Sequence, residues 1–279
     1  MIVVSGATGN VGTELVRALA RAGEPVRALV RDPGKVTPPP GVEAIAADLT
    51  SPDSLGPVFE EARALFLLPG YPGVAQAAAK AGVEHIVQLS GVSAGTGNHG
   101  NAVTRYMAAS EQEVIESGVA WTILRPCAFD SNALRWLPQL AGGDTVRVTF
   151  PQVRTASLDP YDLAAVAARA FADPAYRGEI LWPTGPEAQL PAEQVSVLGG
   201  LLGRNLHSVE LSNDEARADM LADTPPEYVD AFFEFYVEGV IDESVVRPTV
   251  EEVTGRAPRT FAQWARIHAD DFRQAGPVR

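Results

Sequence analysis

A glycine-rich loop near the start of the chain has the clearest potential for chemistry. The stretch SGATGNVG at 5–12 follows a short apolar run and leads into a helical pattern, with glycines at Gly6, Gly9 and Gly12. In this context the first glycine permits a tight turn, the second lets backbone N–H groups approach a pyrophosphate, and the third lets helix and strand pack closely. The helix N-terminus adds partial positive charge and free N–H donors. The loop therefore predicts a nicotinamide dinucleotide site, whose further contacts would be Thr8, Asn10 and Val11.

The residues after the second predicted strand indicate which dinucleotide is bound. The stretch ALVRDPGK at 28–35 places Arg31 at the strand end and Asp32 directly after it. An arginine there pairs with the 2′-phosphate of NADP(H), whereas an acidic residue accepts from the 2′-hydroxyl of NAD(H). We predict NADP(H), with Arg31 and Lys35 as phosphate contacts. NAD(H) stays an alternative because Asp32 is one residue away.

Composition and charge narrow the class of protein. The 279 residues carry a formal net charge of −13, which argues against a nucleic-acid partner because lysine and arginine drive phosphate binding. Cys127 is the only cysteine, so no internal disulfide and no cysteine metal cluster can form. No apolar run reaches the roughly 18–20 residues of a membrane span, and no signal peptide is recognisable. We expect a cytoplasmic monomer or homodimer without a metal and without membrane contact.

The elements that must position the glycine loop alternate between short apolar runs and helical patterns. This alternation predicts an α/β protein with a Rossmann-type doubly wound parallel sheet, because strands buried on both faces form near-continuous apolar runs. The first half predicts strands at 1–5, 25–30, 42–47, 63–68, 85–90 and 120–125, and helices near 11–22, 52–60, 73–81 and 101–117. The remainder predicts strands at 145–150 and 178–183, and helices near 131–141, 160–172, 191–203, 213–222, 226–240 and 258–274.

The change of pattern after residue 126 predicts a second region. An NAD(P)-binding Rossmann domain would cover 1–127 and be completed by about 154–185. Substrate domains of such folds are commonly built from the later segments. We therefore place a smaller, mainly helical C-terminal substrate lobe or lid over 128–153 and 186–279.

Several segments along the whole chain carry a family resemblance. The chain resembles the NmrA-like group of atypical short-chain dehydrogenases/reductases (SDRs), which includes NAD(P)H-dependent quinone reductases and redox-sensing regulators. The matching segments are GATGNVG, LVRDPGK, AAKAGVEHIVQLS (78–90), SEQEVIESGVAWTILRPCAF (110–129), YDLAAVAARAF (161–171), WPTGPEA (182–188) and VTGRAPRTFAQW (253–264). The C-terminal segments distinguish this group from other Rossmann proteins.

The resemblance implies further cofactor contacts at the strand ends. Asp48 would lie against the adenine amino group, with Leu49 beside the ring. Leu68 and Pro69 would pass the adenine ribose, and Pro126 would line the nicotinamide face. For Asp48 the alternative is an acid at the start of a helix, with a purely local role.

The resemblance also indicates where catalytic residues would stand. In catalytic SDRs a serine ends the fifth strand, and a Tyr-x-x-x-Lys pair on the next helix supplies a general acid. Here Ser90 and Tyr106 occupy the serine and tyrosine positions, but Ser110 stands where the lysine would be, and Lys35 and Lys80 both precede the helix. We predict that Ser90 and Tyr106 donate hydrogen bonds to a substrate oxygen. The alternatives are a backbone cap for Ser90 and simple helix packing for Tyr106.

An aromatic and apolar segment after Pro126 suits a flat substrate. The predicted substrate contacts are Tyr71, Phe129, Asn132 and Trp136. The alternative for the residues after Pro126 is a packed seam between two lobes. A further aromatic stripe at Phe232, Phe235 and Tyr236 has helical spacing, which favours core packing, with a pocket lid as its alternative.

These observations together predict an enzyme. Hydride transfer to a quinone needs little acid assistance, so proximity and orientation could suffice without the Tyr–Lys pair. We predict an NAD(P)H-dependent oxidoreductase that reduces a quinone or an aromatic carbonyl substrate, for example a polyketide-type compound of secondary metabolism. The alternatives are an NADP(H)-binding redox sensor without turnover and a non-redox tailoring enzyme on the same scaffold.

Overall fold

Seven parallel strands form the central sheet of the computed structural model, which describes residues 1–274. They are β1 (Ile2–Val4), β2 (Val26–Val30), β3 (Val42–Ala46), β4 (Ala64–Leu67), β5 (His85–Leu89), β6 (Ala120–Leu124) and β8 (Glu179–Leu181); β7 (Thr145–Val148) and β9 (His207–Glu210) form a separate parallel pair. The order in the main sheet is β3-β2-β1-β4-β5-β6-β8. The direction of strand addition reverses between β1 and β4, and at such a point the carboxyl ends of the strands border a ligand crevice. The prediction of a doubly wound α/β fold is confirmed.

Helices cover both faces of the main sheet and form most of the C-terminal region. Within residues 1–274 the α-helices are α1 (Asn10–Arg21), α2 (Val74–Lys80), α3 (Ala102–Glu116), α4 (Leu137–Gly142), α5 (Pro160–Ala172), α6 (Pro191–Leu202), α7 (Asn213–Met220), α8 (Pro226–Tyr236), α9 (Thr249–Thr254), α10 (Phe261–Ile267) and α11 (Ala269–Gln274). No helix in this part of the chain combines the length and apolarity that crossing a membrane requires.

Local sequence signals explain where the central helices begin. Asn101 caps α3 by accepting from the N–H groups of Val103 and Thr104, each at 3.1 Å. Asp159 caps α5 in the same way, and Pro160 at the first helical position has the backbone angle that a helix start needs. On α1 the apolar positions Leu15 and Leu19 are buried against the sheet, as an amphipathic repeat requires.

The structure corrects the sequence prediction in segments that contain proline or exposed strand residues. The predicted helix at 52–60 is two 3₁₀ segments, Pro52–Ser54 and Gly56–Phe59, because Pro57 cannot donate a helical hydrogen bond. The predicted helix at 131–141 starts as a 3₁₀ segment, Asp130–Trp136, before α4.

Differences near the C-terminus have similar local causes. The predicted helix at 226–240 ends at Tyr236, before Gly239 with φ +75°. The predicted helix at 258–274 is divided at His268 into α10 and α11. Strand β9 was not predicted because most of its residues are exposed and lack an apolar face.

A buried carboxyl group, Asp130, connects the segment after β6 to α6. Asp130 is 1% exposed, and the Ser157 hydroxyl donates to its Oδ1 at 2.5 Å. Gln194 in turn donates to the Ser157 oxygen at 3.1 Å, whereas Oδ2 of Asp130 has no hydrogen-bond partner among residues 1–274. Burial raises the pKa of Asp130 to about 8, with the Ser157 hydrogen bond opposing the shift. Asp130 is therefore mostly protonated in the native state at neutral pH.

This raised pKa makes folding stability depend on pH. Between about pH 5 and 7 the native state holds a proton that the unfolded chain releases, so the free energy of unfolding falls as pH rises, by up to about 1.4 kcal/mol per pH unit. D130N keeps the shape of the side chain without an ionisable group. Urea denaturation across this range should therefore show that wild type loses stability relative to D130N as pH rises. The exposed-site variant D53N is the control and should follow wild type; parallel profiles for wild type and D130N would contradict the assignment.

Candidate functional site

The loop between β1 and α1 brings the first helix against the first strand. Gly6 has φ +62°, a conformation that favours glycine, and its carbonyl accepts from the Gly9 N–H at 2.9 Å. A Cβ on Gly12 would lie 2.1 Å from that carbonyl oxygen, so no side chain fits at this position. Gly6 therefore adopts the tight turn, and Gly12 allows the close packing of helix and strand, as the sequence predicts.

The N-terminus of α1 fits the pyrophosphate of a dinucleotide. Its cap residue, Gly9, provides no side-chain hydrogen bond, and no acidic residue stands in the first turn. The first helical hydrogen bond runs from the Thr13 N–H to the Gly9 carbonyl. The N–H groups of Asn10, Val11 and Gly12 therefore have no helical acceptor and remain available to a ligand. Thr8, Gly9 and Asn10 are exposed around this opening. An anion is the group that satisfies these donors and the positive end of the helix dipole.

At the end of β2 the two candidate residues for cofactor choice differ in their contacts. Asp32 caps a short turn: its Oδ1 accepts from the Gly34 N–H at 3.0 Å, and its Oδ2 lies 3.3 Å from Lys35 Nζ. Arg31 is exposed and makes no ion pair with any residue from 1 to 274. The Arg31 guanidinium is therefore available for a 2′-phosphate, whereas the Asp32 carboxylate is occupied by hydrogen bonds and an ion pair within its own turn.

The predicted adenine contacts lie along the ends of β3 and β4. Asp48 accepts from the Thr50 hydroxyl at 2.6 Å and from the Thr50 N–H at 2.9 Å, which lowers the pKa of its carboxyl group. These hydrogen bonds hold a local turn ahead of the 3₁₀ segment, which Ser51 caps; a contact of Asp48 with adenine stays a prediction. Leu49 is buried beneath this turn. Leu68 lies over the glycine loop, where a Cβ on Gly6 would approach its Cδ1 to 2.5 Å.

Ser90 is tied to a buried ion pair. Its hydroxyl donates to Glu111 Oε1 at 2.5 Å, and the serine is 4% exposed. Glu111 also binds Arg125 through two hydrogen bonds of 2.8 and 2.6 Å, and the Arg125 guanidinium lies 4.9 Å from the centre of the Trp182 ring. Because the hydroxyl proton points to Glu111, this geometry argues against Ser90 as a hydrogen-bond donor to substrate.

Tyr106 covers the turn after β4 and has a hydrogen-bond partner of its own. Its hydroxyl donates to the Pro69 carbonyl at 2.8 Å, and the Ser110 hydroxyl accepts from the Gly70 N–H at 2.9 Å. Tyr71, in the same turn, packs partly buried against the sheet. Neither Tyr106 nor Tyr71 lines the main cavity, a space of about 680 Å³ bordered by residues that follow Pro126. The structure thus supports the packing alternative for Tyr106.

The main cavity has a volume of about 680 Å³, and the residues that follow Pro126, from Ala128 onward, form one of its walls. Three predicted substrate residues line it: Phe129, Asn132 and Trp136. Trp136 is 2% exposed and belongs largely to the core below the cavity. Cys127 is also buried, and its thiol donates to the Ala156 carbonyl at 2.6 Å; burial raises the pKa of this thiol, so it is no nucleophile.

The far wall of the cavity contains residues that the sequence did not identify as catalytic. Tyr236 lies nearly parallel to Phe232, with ring centres 6.2 Å apart, and its ring centre is 5.0 Å from that of Phe150. The Tyr236 hydroxyl donates to Glu243 Oε2 at 2.8 Å. Glu243 is 7% exposed, and burial raises the pKa of its carboxyl group. Phe232 and Tyr236 thus line the cavity while Phe235 is buried in the core, and a role as a lid stays a prediction; their helical spacing was the signal in the sequence.

Known proteins share both this fold and much of this sequence. A family model described as NAD(P)H-binding matches residues 6–174. The chain is 38% identical over 280 residues to the (4-alkanoyl-5-oxo-2,5-dihydrofuran-3-yl)methyl phosphate reductase of Streptomyces griseus, covering 98% of this chain and 99% of that protein. It is 33% identical to the NAD(P)H azoreductase of Xenophilus azovorans, covering 99% and 100% of the two chains.

A solved structure shows the same architecture. The NADPH-dependent quinone oxidoreductase of Escherichia coli, complexed with NADPH, superposes with a TM-score of 0.77, at 21% identity and over 95% of this chain and 98% of that chain. The predicted family resemblance is confirmed. The chain belongs to the NAD(P)H-binding family, shares its fold with the NmrA protein and is an NAD(P)H-dependent oxidoreductase.

Proposed function

We propose that this enzyme uses NADPH in preference to NADH to reduce a flat, conjugated carbonyl compound or quinone bound in the main cavity. The observation that carries the proposal is the position of the aromatic wall of Phe232 and Tyr236 in a cavity that starts beside Phe129. This cavity adjoins the strand end that faces the nicotinamide in the family. By their names, the two relatives reduce a (4-alkanoyl-5-oxo-2,5-dihydrofuran-3-yl)methyl phosphate and azo compounds.

The cofactor residues would hold NADPH at both ends of its phosphate-bearing half. The open N-terminus of α1 would bind the pyrophosphate, with Thr8 and Asn10 beside it, and Arg31 would bind the 2′-phosphate. The bound dinucleotide would supply a hydride to the acceptor. Asn10 also donates to the Ser131 hydroxyl at 3.1 Å, which connects the phosphate loop to the segment that lines the cavity.

Tyr236 is the group in the cavity best placed to supply the proton that must follow the hydride. With Glu243 ionised, the Tyr236 hydroxyl donates to the carboxylate. With Glu243 protonated, which its raised pKa favours, the carboxyl group donates to the Tyr236 oxygen and frees the phenolic proton for the substrate. Tyr236 would then protonate the acceptor oxygen and recover a proton from Glu243. This pair would serve in place of the absent Tyr-x-x-x-Lys arrangement.

Removal of the Arg31 guanidinium should weaken NADPH binding selectively. A charged hydrogen-bonding contact contributes about 1.5–3 kcal/mol, so R31A should raise the Kd for NADPH by roughly ten- to a hundredfold and leave that for NADH nearly unchanged. Fluorescence titration with each cofactor measures both constants. The matched control is R266A, an exposed arginine on α10, which should change neither. Equal weakening for NADH in R31A would contradict the assignment.

Removal of the Tyr236 hydroxyl should slow turnover while leaving cofactor binding intact. Wild type should oxidise NADPH in the presence of quinones and conjugated carbonyl compounds, followed by nicotinamide absorbance. Y236F should lower kcat by about 10²–10⁴-fold with carbonyl acceptors and by less with quinones, since a reduced quinone is already a stable anion.

The comparison with Y106F decides between the two tyrosines. Because the Tyr106 hydroxyl binds the Pro69 carbonyl, Y106F should keep a kcat close to wild type. Loss of activity in Y106F but not in Y236F would restore Tyr106 as the acid. NADPH binding without consumption by any acceptor would contradict the proposed reaction itself.

A further inference from the structure

Arg135 is a cation inside the main cavity without an anionic partner. It lies in the 3₁₀ segment between the buried residues Ala133 and Trp136, and its guanidinium carbon is 5.9 Å from the centre of the Trp136 ring. No residue from 1 to 274 forms an ion pair or a hydrogen bond with its side chain. The second arginine of the cavity, Arg147, differs because it pairs with Asp219 at 3.1 Å.

The side chain of Arg135 keeps its charge in the cavity. It is exposed through the cavity opening, and the protein around it lowers the pKa of its guanidinium. It nevertheless stays charged, because arginine is not deprotonated in proteins. A partly dehydrated cation is stabilised most by an anion that reaches it, and a guanidinium matches the planar geometry of phosphate and carboxylate oxygens.

The carboxyl groups near the cavity do not neutralise Arg135. Asp219 is engaged by Arg147, and Asp223 lies exposed at the rim. Asp130 does not line the cavity, and its raised pKa keeps it mostly protonated at neutral pH. Glu243 is buried and hydrogen-bonded to Tyr236. The positive charge of Arg135 is therefore available to a ligand.

A second polar side chain completes the subsite. Residues three apart in a 3₁₀ segment lie on the same face, so Asn132 and Arg135 project together. Both line the cavity, and Asn132 is exposed to it. Phe232 and Tyr236 line the same cavity as Arg135 and Asn132. An oxyanion at Arg135 would thus be anchored within reach of the proton-donating wall.

We infer that the substrate carries an oxyanion, such as a phosphate or carboxylate group, which Arg135 and Asn132 bind while its flat body lies along Phe232 and Tyr236. This inference rests on the proposed function for the location of the reacting body, but the oxyanion subsite can be tested without turnover. Arg135 is accordingly a residue that determines substrate specificity and has no part in the proton transfer.

The kinetic test compares two acceptors that differ by one anionic group. Naphthoquinone and its sulfonate derivative are assayed with wild type, R135Q and R135K. We expect R135Q to raise KM for the sulfonate by at least about tenfold, as loss of a charged hydrogen bond implies, with kcat and the KM for naphthoquinone within about twofold of wild type. R135K should recover part of the loss because it restores the charge. Equal changes in KM for both acceptors would overturn the inference.

The binding test separates this inference from the proposed reaction. Phenyl phosphate is titrated by calorimetry into the enzyme saturated with NADPH. Wild type should bind it, and R135Q should lose at least about tenfold in affinity while R266Q, on α10, should not. If neither quinone is reduced but phenyl phosphate binding depends on Arg135, the proposed reaction fails and the subsite stands. If binding is unaffected in R135Q, with NADPH affinity and thermal unfolding unchanged, the subsite does not exist.

Discussion

The close approach of Gly12 to the Gly6 carbonyl is the contact on which the rest of the site depends. It allows α1 to begin directly against the end of β1, so the open N–H groups of its first turn lie at the edge where strand order reverses. The same helix packs along α5, whose capping residue Asp159 binds Arg259 of the C-terminal region at 3.1 Å. This one backbone contact therefore positions the open first turn of α1 and, through α5, the C-terminal region that contacts Asp159.

Charged groups in this chain fall into two physical classes. Buried pairs such as Glu111 with Arg125 satisfy each other within the protein and orient neighbouring elements. Removing one partner of such a pair leaves an uncompensated charge, so these groups are needed for folding. Arg135 belongs to the other class, because its charge has no partner in the described chain and faces the cavity. The presence or absence of a partner, rather than burial alone, distinguishes a structural charge from one available to a ligand.

The arrangement of proton donors follows from the loss of the SDR lysine. Without that cation on α3, burial and the neighbouring phenols of Tyr228 and Tyr71 raise the pKa of the Tyr106 hydroxyl. Its hydroxyl instead stabilises the turn after β4. In the proposed mechanism the acid comes from the opposite wall, where Tyr236 has a buried carboxyl partner. That mechanism keeps the dinucleotide-binding half of the fold and takes the proton from a different element.

Local residue patterns were enough to predict the sheet, the glycine loop and the family of this protein. Strands buried on both faces must be continuous apolar runs, so their positions could be predicted to within one or two residues. The glycine loop is equally local, because its function depends on backbone conformation within eight residues. Exposed β9 has no apolar run that would predict a strand, and the helical prediction at 52–60 left out the helix-breaking effect of Pro57.

Which polar side chains are available to a ligand depends on contacts that form only in the folded protein. Ser90 and Tyr106 stand at family positions, yet their hydroxyl protons are directed to Glu111 and to the Pro69 carbonyl. Arg135 and Tyr236 come from distant parts of the chain and line one cavity, with Glu243 hydrogen-bonded behind Tyr236. Helical periodicity indicates which face of a helix is apolar, but it does not specify what that face will meet. Those partners depend on long-range packing, which no local pattern of residues encodes.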